Sequence, residues 1–428
     1  MNILILTYGS RGDVQPYIAL SKALQKSGHT VTLGTSVRFQ SVVESSGIPY
    51  AYMNDDLLSV IDTDAGKDLL EQGNNLFQMV RRGLKVSKQI KPAQHALLDE
   101  SWAAAQEAKP DFILFHPKAG GAAHIAEKLN IGCALITPIP MFVPTGEFHF
   151  PIFPDLKLGK GYNRLTYKII QFAINKVWNG YIKSFRQKLN LPPIKKFDFL
   201  KTADGQDIPI IHAHSKAVVP RPHDWPESAH ITGYLFLDEH ENWHPPDELQ
   251  EFLDTGNPPV YIGFGSMTGR NPERLAKIVI EALQKANLRG IIATGWGGLV
   301  AKDLPKTILK IEQAPHDWLF PRMAAVVHHG GAGTTAAGLR AGKPTIIVPF
   351  FGDQPFWGAR IHELGVGPKP ILQKKLTADL LSAAMLEATT NQTMIDFAAK
   401  IGEKIRNENG VDNIVSLVEK HAFGQKIS

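Results

Sequence analysis

Two stretches of this chain carry the residue types that chemistry on a charged substrate needs. In Val326-Val327-His328-His329-Gly330-Gly331-Ala332-Gly333-Thr334-Thr335, an apolar run meets a glycine-rich turn and then two hydroxyls. Glycines let backbone amides close on an anion, and a helix starting there adds positive potential, so the natural guest is a phosphate. A merely close-packed turn would account for the glycines but not for paired histidines at a strand end. The second stretch, Tyr8-Gly9-Ser10-Arg11-Gly12-Asp13, follows the apolar run Ile3 to Leu6. It brings Ser10, Arg11 and Asp13 to the carboxyl end of a first parallel strand, where ligands of open sheets usually sit. Asp13 has two readings, a general base or the N-cap of a helix starting near Pro16. Beyond Pro349-Phe350-Phe351-Gly352, the pair Asp353-Gln354 sets a carboxylate beside a carboxamide, which suits paired sugar hydroxyls. Gly265-Ser266 supplies a further hydroxyl after an apolar run, and Trp296 stands among glycines on a loop where it can stack on a base.

Rival phosphate sites need weighing. A Walker loop over Gly338 to Pro344 fails, because Ala337 and Pro344 stand where the motif needs Gly and Ser or Thr. Gly331, Gly333 and Ala336 do match GxGxxA, and Asp353 lies at a dinucleotide-like distance, so that reading stays open. No DxD cluster stands at a plausible site, and the 16 histidines are scattered apart from His212/His214 and His328/His329. The single cysteine, Cys133, forms no internal disulfide or multi-thiolate site. No metal and no cofactor are expected.

The elements that must position these groups are legible as alternating patterns. The 428 residues suggest two domains sharing a cleft. The first 35 residues read as strand, helix and strand, and further strands are predicted at Phe112 to Phe115 and Cys133 to Ile136. The second half repeats this with apolar runs at Val260 to Gly263, Gly290 to Ala293, Ile308 to Ile311, Ala325 to His328 and Thr345 to Val348. The expected class is α/β, with an N-terminal domain over 1–236, a linker over 237–259, a C-terminal domain over 260–410, and a final helix over 411–428 that can pack back on the first domain. The N-terminus has no basic region and too short an apolar core for a signal peptide, which places the protein in the cytoplasm.

Charge is uneven. Residues 1–235 hold 26 Lys and Arg against 20 Asp and Glu, and within them 156–197 holds ten basic residues and no acid. This stretch interleaves Leu165, Ile169, Phe172, Ile174, Val177, Trp178, Ile182 and Phe185 with its cations. An interfacial helix on an anionic membrane reads this way, and so does a packing helix with a basic outer face; both readings stand. The apolar content is too high for a nucleic-acid surface.

The runs GSRGDVQPYIAL, YIGFGS and PHDWLFPRMAAVVHHGGAGTTAAGLRAGKPTIIVPFFGDQPFWGARI resemble the UDP-glucose:sterol 3-beta-glucosyltransferases. VPRPHDWPESAHITGYLFLD and PTGEFHFP extend the likeness to nearly the whole chain. The resemblance implies the GT-B fold, two facing Rossmann-like doubly wound domains with an interdomain cleft, and inversion at the anomeric carbon. It implies a UDP-sugar donor, with glucose passing to the hydroxyl of a sterol or similar apolar acceptor. By position, Asp13 would be the base. His329 and the amides near Gly331, Gly333, Thr334 and Thr335 would hold the diphosphate. Ser266 would touch a phosphate oxygen, Ala314 would meet the base through its backbone, and Asp353 with Gln354 would grip the glucose. Ser10, Arg11 and Trp296 are further donor-side candidates. Acceptor-side candidates are Phe77, Met141, Phe142, Glu147 and Phe148, on loops 55–77 and 140–151.

Two departures bear on the nucleotide. Gln313 stands where plant relatives carry a Trp that stacks on uracil, and Ala337 where they carry a Glu for the ribose. Charge developing on the leaving diphosphate would be met by the helix N-terminus, His329 and hydroxyls without a divalent ion. Flavonoid, terpenoid or carotenoid acceptors are alternatives, as are a nucleotide-sugar epimerase and a non-catalytic lipid-binding protein.

Overall fold

Apolar runs of three to seven residues are long enough to cross a sheet but too short for a buried helix, and continuous runs suit strands covered on both faces. The structure, a computed structural model, describes residues 1–62, 76–195, 197–239, 243–265, 272–294 and 304–424, with the backbone alone at 61–62, 76–89 and 422–424. It divides into two compact units, one of residues 1–216, 220–237 and 409–428, the other of 217–219 and 238–408.

The first unit holds a parallel sheet of β1 (Asn2–Leu6), β2 (Thr30–Ser36), β3 (Tyr50–Met53), β4 (Phe112–Phe115), β5 (Gly132–Thr137), β6 (Ile210–His212) and β7 (Ala229–Ile231). Their order is β3-β2-β1-β4-β5-β6-β7. The strand order reverses between β1 and β4, which pair in register from Ile3 with Phe112 to Leu6 with Phe115. Side chains alternate between faces. Ile3 and Ile5 join Tyr17, Leu20 and Leu24 of helix Arg11–Lys26, while Leu4 and Leu6 face a second core with Phe185, Phe197 and Trp225. Helix Gly410–Gly424 closes the first of these cores with Ile414, Val415 and Val418.

The second unit holds β8 (Val260–Gly263), β9 (Gly290–Ala293), β10 (Ile308–Ile311), β11 (Ala325–His328) and β12 (Thr345–Ile347), parallel and ordered β10-β9-β8-β11-β12. Here the reversal lies between β8 and β11. Helix Pro272–Ala286 buries Leu275, Val279 and Leu283 beside Leu381 and Met385 of helix Ala378–Thr390.

Three local expectations need correcting. The first helix begins at Arg11 with Ser10 as its N-cap, so Pro16 lies inside it and not at its first position. Within 237–259, residues Asp247–Asp254 form a helix whose Leu249 is buried against Tyr261 and Phe320. Strands β3, β6 and β7 add to those expected.

Candidate active site

Both reversal points carry chemistry at the carboxyl ends of their strands, as open sheets do. In the first unit, the chain leaves β1 through Gly9 and Ser10 and enters the helix at Arg11. Asp13 reaches back over this turn. Its Oδ2 accepts the backbone N–H of Ser10 at 2.7 Å, the Ser10 hydroxyl at 3.0 Å and the Lys118 ammonium at 2.9 Å. Its Oδ1 faces His116 Nε2 at 3.3 Å. Gly9, at φ +144°, is what lets the pair form, since a Cβ there would lie 2.2 Å from Asp13 Oδ2 and 2.7 Å from Lys118 Nζ.

The protonation states follow from these bonds. His116 Nδ1 accepts the N–H of Lys118 at 3.2 Å, which leaves the proton on Nε2, directed at Asp13. Burial holds the His116 pKa below its ordinary value despite the carboxylate, so the ring is neutral at pH 7. Burial pushes the Asp13 pKa up, but Lys118 and the His116 bond outweigh it and hold the carboxyl well below the usual range. Asp13 is therefore an ionised carboxylate with three donors on Oδ2 and one on Oδ1. Oδ1 is the less heavily bonded oxygen. The capping bonds use Oδ2, so the N-cap and general-base readings of Asp13 draw on different oxygens. Ser10 and Arg11 are exposed at the same turn.

Sequence reasoning missed His116 and Lys118. The available signal was their place immediately after the predicted strand Phe112 to Phe115, at a parallel strand's carboxyl end.

The acceptor-side candidates also lie in this unit. Phe142 takes a positive φ of 74°, unusual for a bulky residue, and its ring lies 6.4 Å from that of Phe150 and 5.9 Å from that of Phe199. Trp178 packs edge-on against Phe199 at 5.6 Å and stacks with Phe197 at 6.1 Å. Phe148 packs partly buried against the same core, while the backbone oxygen of Met141 meets His212 Nε2 at 3.1 Å. Glu147 is exposed, and its carboxylate accepts the N–H of His223 at 2.7 Å. Asp224 pins this loop by accepting from the Thr145 hydroxyl at 2.6 Å, the Gly146 N–H at 2.8 Å and Arg164 at 3.0 Å. Burial opposes its ionisation, but those donors hold its pKa at about 2. The side chain of Phe77 lies outside the described residues.

In the second unit, β11 ends in His328 and runs through Gly330 and Gly331 into helix Ala332–Arg340. His328 is fully buried and its Nδ1 accepts the Gly330 N–H at 2.9 Å, so it shapes the turn from within. His329 lies beside the loop after β8, since a Cβ on Gly265 would meet its Cε1 at 3.7 Å. Burial lowers its pKa to about 4, so it offers a neutral ring N–H and not a cation. Its Nδ1 is buried with no partner among the described residues. Gly330, at φ +94°, presses against Gln354, whose carbonyl a Cβ would approach to 3.1 Å.

No side chain caps the helix at Gly331, and the first intrahelical bond runs from Thr335 N to Gly331 O at 2.9 Å. The N–H groups of Ala332, Gly333 and Thr334 are thus the ones that the helix leaves for a ligand. Gly333 is exposed and Thr334 half-buried, whereas the Thr335 side chain is fully enclosed.

The neighbouring loop holds Asp353, which accepts from Trp357 Nε1 at 2.7 Å. Gln354 is buried, with its carbonyl oxygen taken by the N–H groups of Phe350 at 2.7 Å and Phe351 at 3.2 Å. Its amide nitrogen is the atom left over. Ala314 is half-buried ahead of the short helix His316–Leu319. Ser266 and Trp296 lie outside the described residues. Among the described residues, no three His, Cys, Asp or Glu side chains group as a cation site would require.

Each half of the chain matches a known family. Residues 3–143 match the model for the glycosyltransferase family 28 N-terminal domain, and residues 291–420 that for the erythromycin biosynthesis protein CIII-like C-terminal domain. The chain is 39% identical to sterol 3-beta-glucosyltransferase UGT80A2 of Arabidopsis thaliana over 98% of its own length and 66% of that protein. It is 37% identical to UGT80B1 of the same plant over 98% and 68%. A sterol 3-beta-glucosyltransferase of Yarrowia lipolytica is 38% identical over 98% of this chain and 28% of its own. The chain thus spans about two thirds of the plant relatives and under a third of the fungal one.

Among solved structures, the calicheamicin glycosyltransferase CalG4 is similar at a TM-score of 0.70 and 16% identity, covering all of both chains. Glycosyltransferase VinC, solved with dTDP, is similar at a TM-score of 0.70 and 17% identity, covering 99% of this chain and 100% of its own. Two parallel sheets with alternating helices, and likeness to these structures throughout, make the fold GT-B. By sequence over nearly its whole length, the chain belongs to the sterol 3-beta-glucosyltransferase family.

Proposed function

We propose that this chain is an inverting glucosyltransferase that moves glucose from UDP-glucose to the hydroxyl of a sterol or a similar apolar alcohol. One observation carries the reading: a chain with family likeness over 98% of its length has an ionised Asp13, its Oδ1 facing only His116, at the reversal point of its first sheet. The acceptor hydroxyl binds Oδ1 of Asp13 and attacks the anomeric carbon. The C–O bond to the sugar forms as the bond to the diphosphate breaks, and the proton passes to Asp13. So weak a base takes the proton only as the hydroxyl oxygen becomes acidic in the transition state.

On the donor side, the N–H groups of Ala332, Gly333 and Thr334 and the ring N–H of His329 receive the diphosphate charge. Asp353 and the Gln354 amide nitrogen bind glucose hydroxyls. The dTDP held by VinC, a protein of the same fold, supports a nucleoside diphosphate in this role. These donors serve without a divalent cation or any other cofactor. The aromatic rings around Phe142 and Phe199 suit a flat apolar acceptor. The acceptor is drawn from the membrane surface, with the enzyme working from the cytoplasmic side.

Incubation with UDP-glucose and mixed sterols tests this directly, run with and without EDTA. Steryl glucoside formed at equal rates in both is the expected result. A sugar epimer in place of transfer, or no turnover at all, overturns the reading, and strict dependence on a divalent ion overturns the assignment of the leaving-group donors.

A further inference from the structure

Helix Gly159–Lys188 has two unlike faces, and the difference sorts out the acid-free stretch around it. Its inner face is core. Tyr167, Ile182 and Phe185 are buried, and Trp178 joins the aromatic cluster with Phe197 and Phe199. The opposite face is not. Leu165, Ile169 and Phe172 are 52%, 46% and 69% exposed, preceded by Leu158 at 67%. At 3.6 residues per turn, these four lie within about 40° of one line along the helix, and Lys176 and Lys183 continue that line.

The cations divide in the same way. Arg186 is buried and held by Glu127 and the Pro192 carbonyl, while Arg164 pairs with Asp224, Lys157 with Asp155 and Lys188 with Asp99. Lys168, Lys176 and Lys183 are exposed and make no ion pair among the described residues. What remains outward is a stripe of large apolar side chains flanked by unpaired lysines. No helix among the described residues is long and apolar enough to cross a membrane. A face of this composition binds at the headgroup level, apolar tips below and ammonium groups at the anionic surface.

We propose that the outward face of helix Gly159–Lys188, through Leu165, Ile169, Phe172, Lys168, Lys176 and Lys183, docks the protein on an anionic lipid bilayer. The helix thereby links lipid to the acceptor side of the same unit. Its Asn163 donates to the Gly146 carbonyl at 2.9 Å and its Thr166 hydroxyl accepts the Phe150 N–H at 2.8 Å, on the loop that carries Phe142 and Phe148. Docking itself does not depend on the catalytic reading; only delivery of a membrane acceptor does.

Sedimentation with vesicles of phosphatidylcholine alone, or with phosphatidylserine added, tests docking without any substrate. Wild type should sediment with the anionic vesicles at low salt and be released as salt screens the lysines. A lysine near an anionic leaflet contributes about fivefold in binding, so Lys168→Glu, Lys176→Glu and Lys183→Glu together should cost about a hundredfold or more. Leu165→Ser, Ile169→Ser and Phe172→Ser together should weaken binding at every salt concentration. Both triple variants should keep wild-type circular dichroism and full transfer to a water-soluble phenolic alcohol, and lose transfer to sterol in vesicles. If wild type ignores anionic vesicles, or neither triple variant changes sedimentation, the docking face is refuted. A wild-type dimer that the serine variants dissociate, with no vesicle binding, would assign the stripe to a second copy of this chain instead. Loss of transfer to the phenolic alcohol as well would show that the face serves catalysis or folding rather than docking. Vesicle binding with no transfer to any acceptor would sink the enzymatic reading and leave the docking face standing.

Discussion

At the scale of single residues, the consequential feature is that Asp13 is restrained rather than poised. A base works best with a pKa near the working pH, yet Lys118 and His116 hold Asp13 far below it. The restraint keeps the carboxylate ionised and aimed, at a cost in basicity. Asp13→Asn keeps the shape and the bonds from Ser10 but accepts no proton, so kcat should fall by about 10² to 10⁴ while UDP still binds. Near-normal turnover by that variant would return Asp13 to a purely structural role. Lys118→Met removes the cation that favours the charged carboxylate, so the folded-state pKa of Asp13 rises and the acid limb of kcat moves to higher pH. Lys118→Arg should leave the limb near its wild-type place. An unmoved limb in Lys118→Met would mean that Lys118 does not act through Asp13. Neither His116 nor Lys118 stood out in the sequence, because their meeting with Asp13 depends on β4 pairing with β1 across a hundred residues. Type and spacing mark Asp13, His329 and Asp353 as candidates, because each lies in a short local pattern of glycine, proline and hydroxyl residues.

At the scale of elements, the strands that carry the sites were the readable ones. β1, β4, β8 and β11 are each paired on both sides and present mostly apolar runs, all fully or nearly fully buried apart from Asn2. β3 and β7 lie at the edges of the first sheet and β6 beside one, and none of the three stood out in the sequence. Read from the sequence, Pro16 signals a helix start, which puts the first helix later than its observed start at Arg11. The observed start rests instead on the bonds between Ser10 and Asp13, a cap that also holds the proposed base.

The turn between β1 and this helix is therefore a single device, and Gly9 is its tightest point. Gly9→Ala puts a methyl group where the Asp13 carboxylate and the Lys118 ammonium meet and imposes a φ that L residues rarely adopt. Transfer should fall nearly as far as in Asp13→Asn, with the far-ultraviolet circular dichroism unchanged. A variant with normal kcat would show that the carboxylate does not need the position it has here.

At the scale of the whole molecule, the first unit is assembled from the two ends of the chain. Residues 238–408 belong to the second unit, and 409–428 return to the first. The return is specific. Gly410 sits so close to Gly233 that a Cβ would meet the Tyr234 carbonyl at 2.3 Å, Asn413 donates to the Thr232 carbonyl at 2.8 Å, and Glu419 faces His29 at 3.1 Å. Ile414, Val415 and Val418 then fill the core beneath β1, β2 and β5. Burying three such side chains contributes roughly 1.5 to 3 kcal/mol each, about 4.5 to 9 kcal/mol together as an upper estimate, against about 5 to 15 kcal/mol for a whole domain. Deleting 410–428 should consequently destabilise the first unit and leave the second nearly untouched. Hydrogen exchange reads the two separately, because amide protection reports the stability of each cooperative region. Protection in β1, β2 and β5 should drop by several orders of magnitude in the truncated chain, while β8, β9 and β11 exchange as in the full chain. If β1, β2 and β5 keep their protection, the last helix is an accessory to a core that closes without it, and equal loss in both sheets would mean that the two units unfold as one.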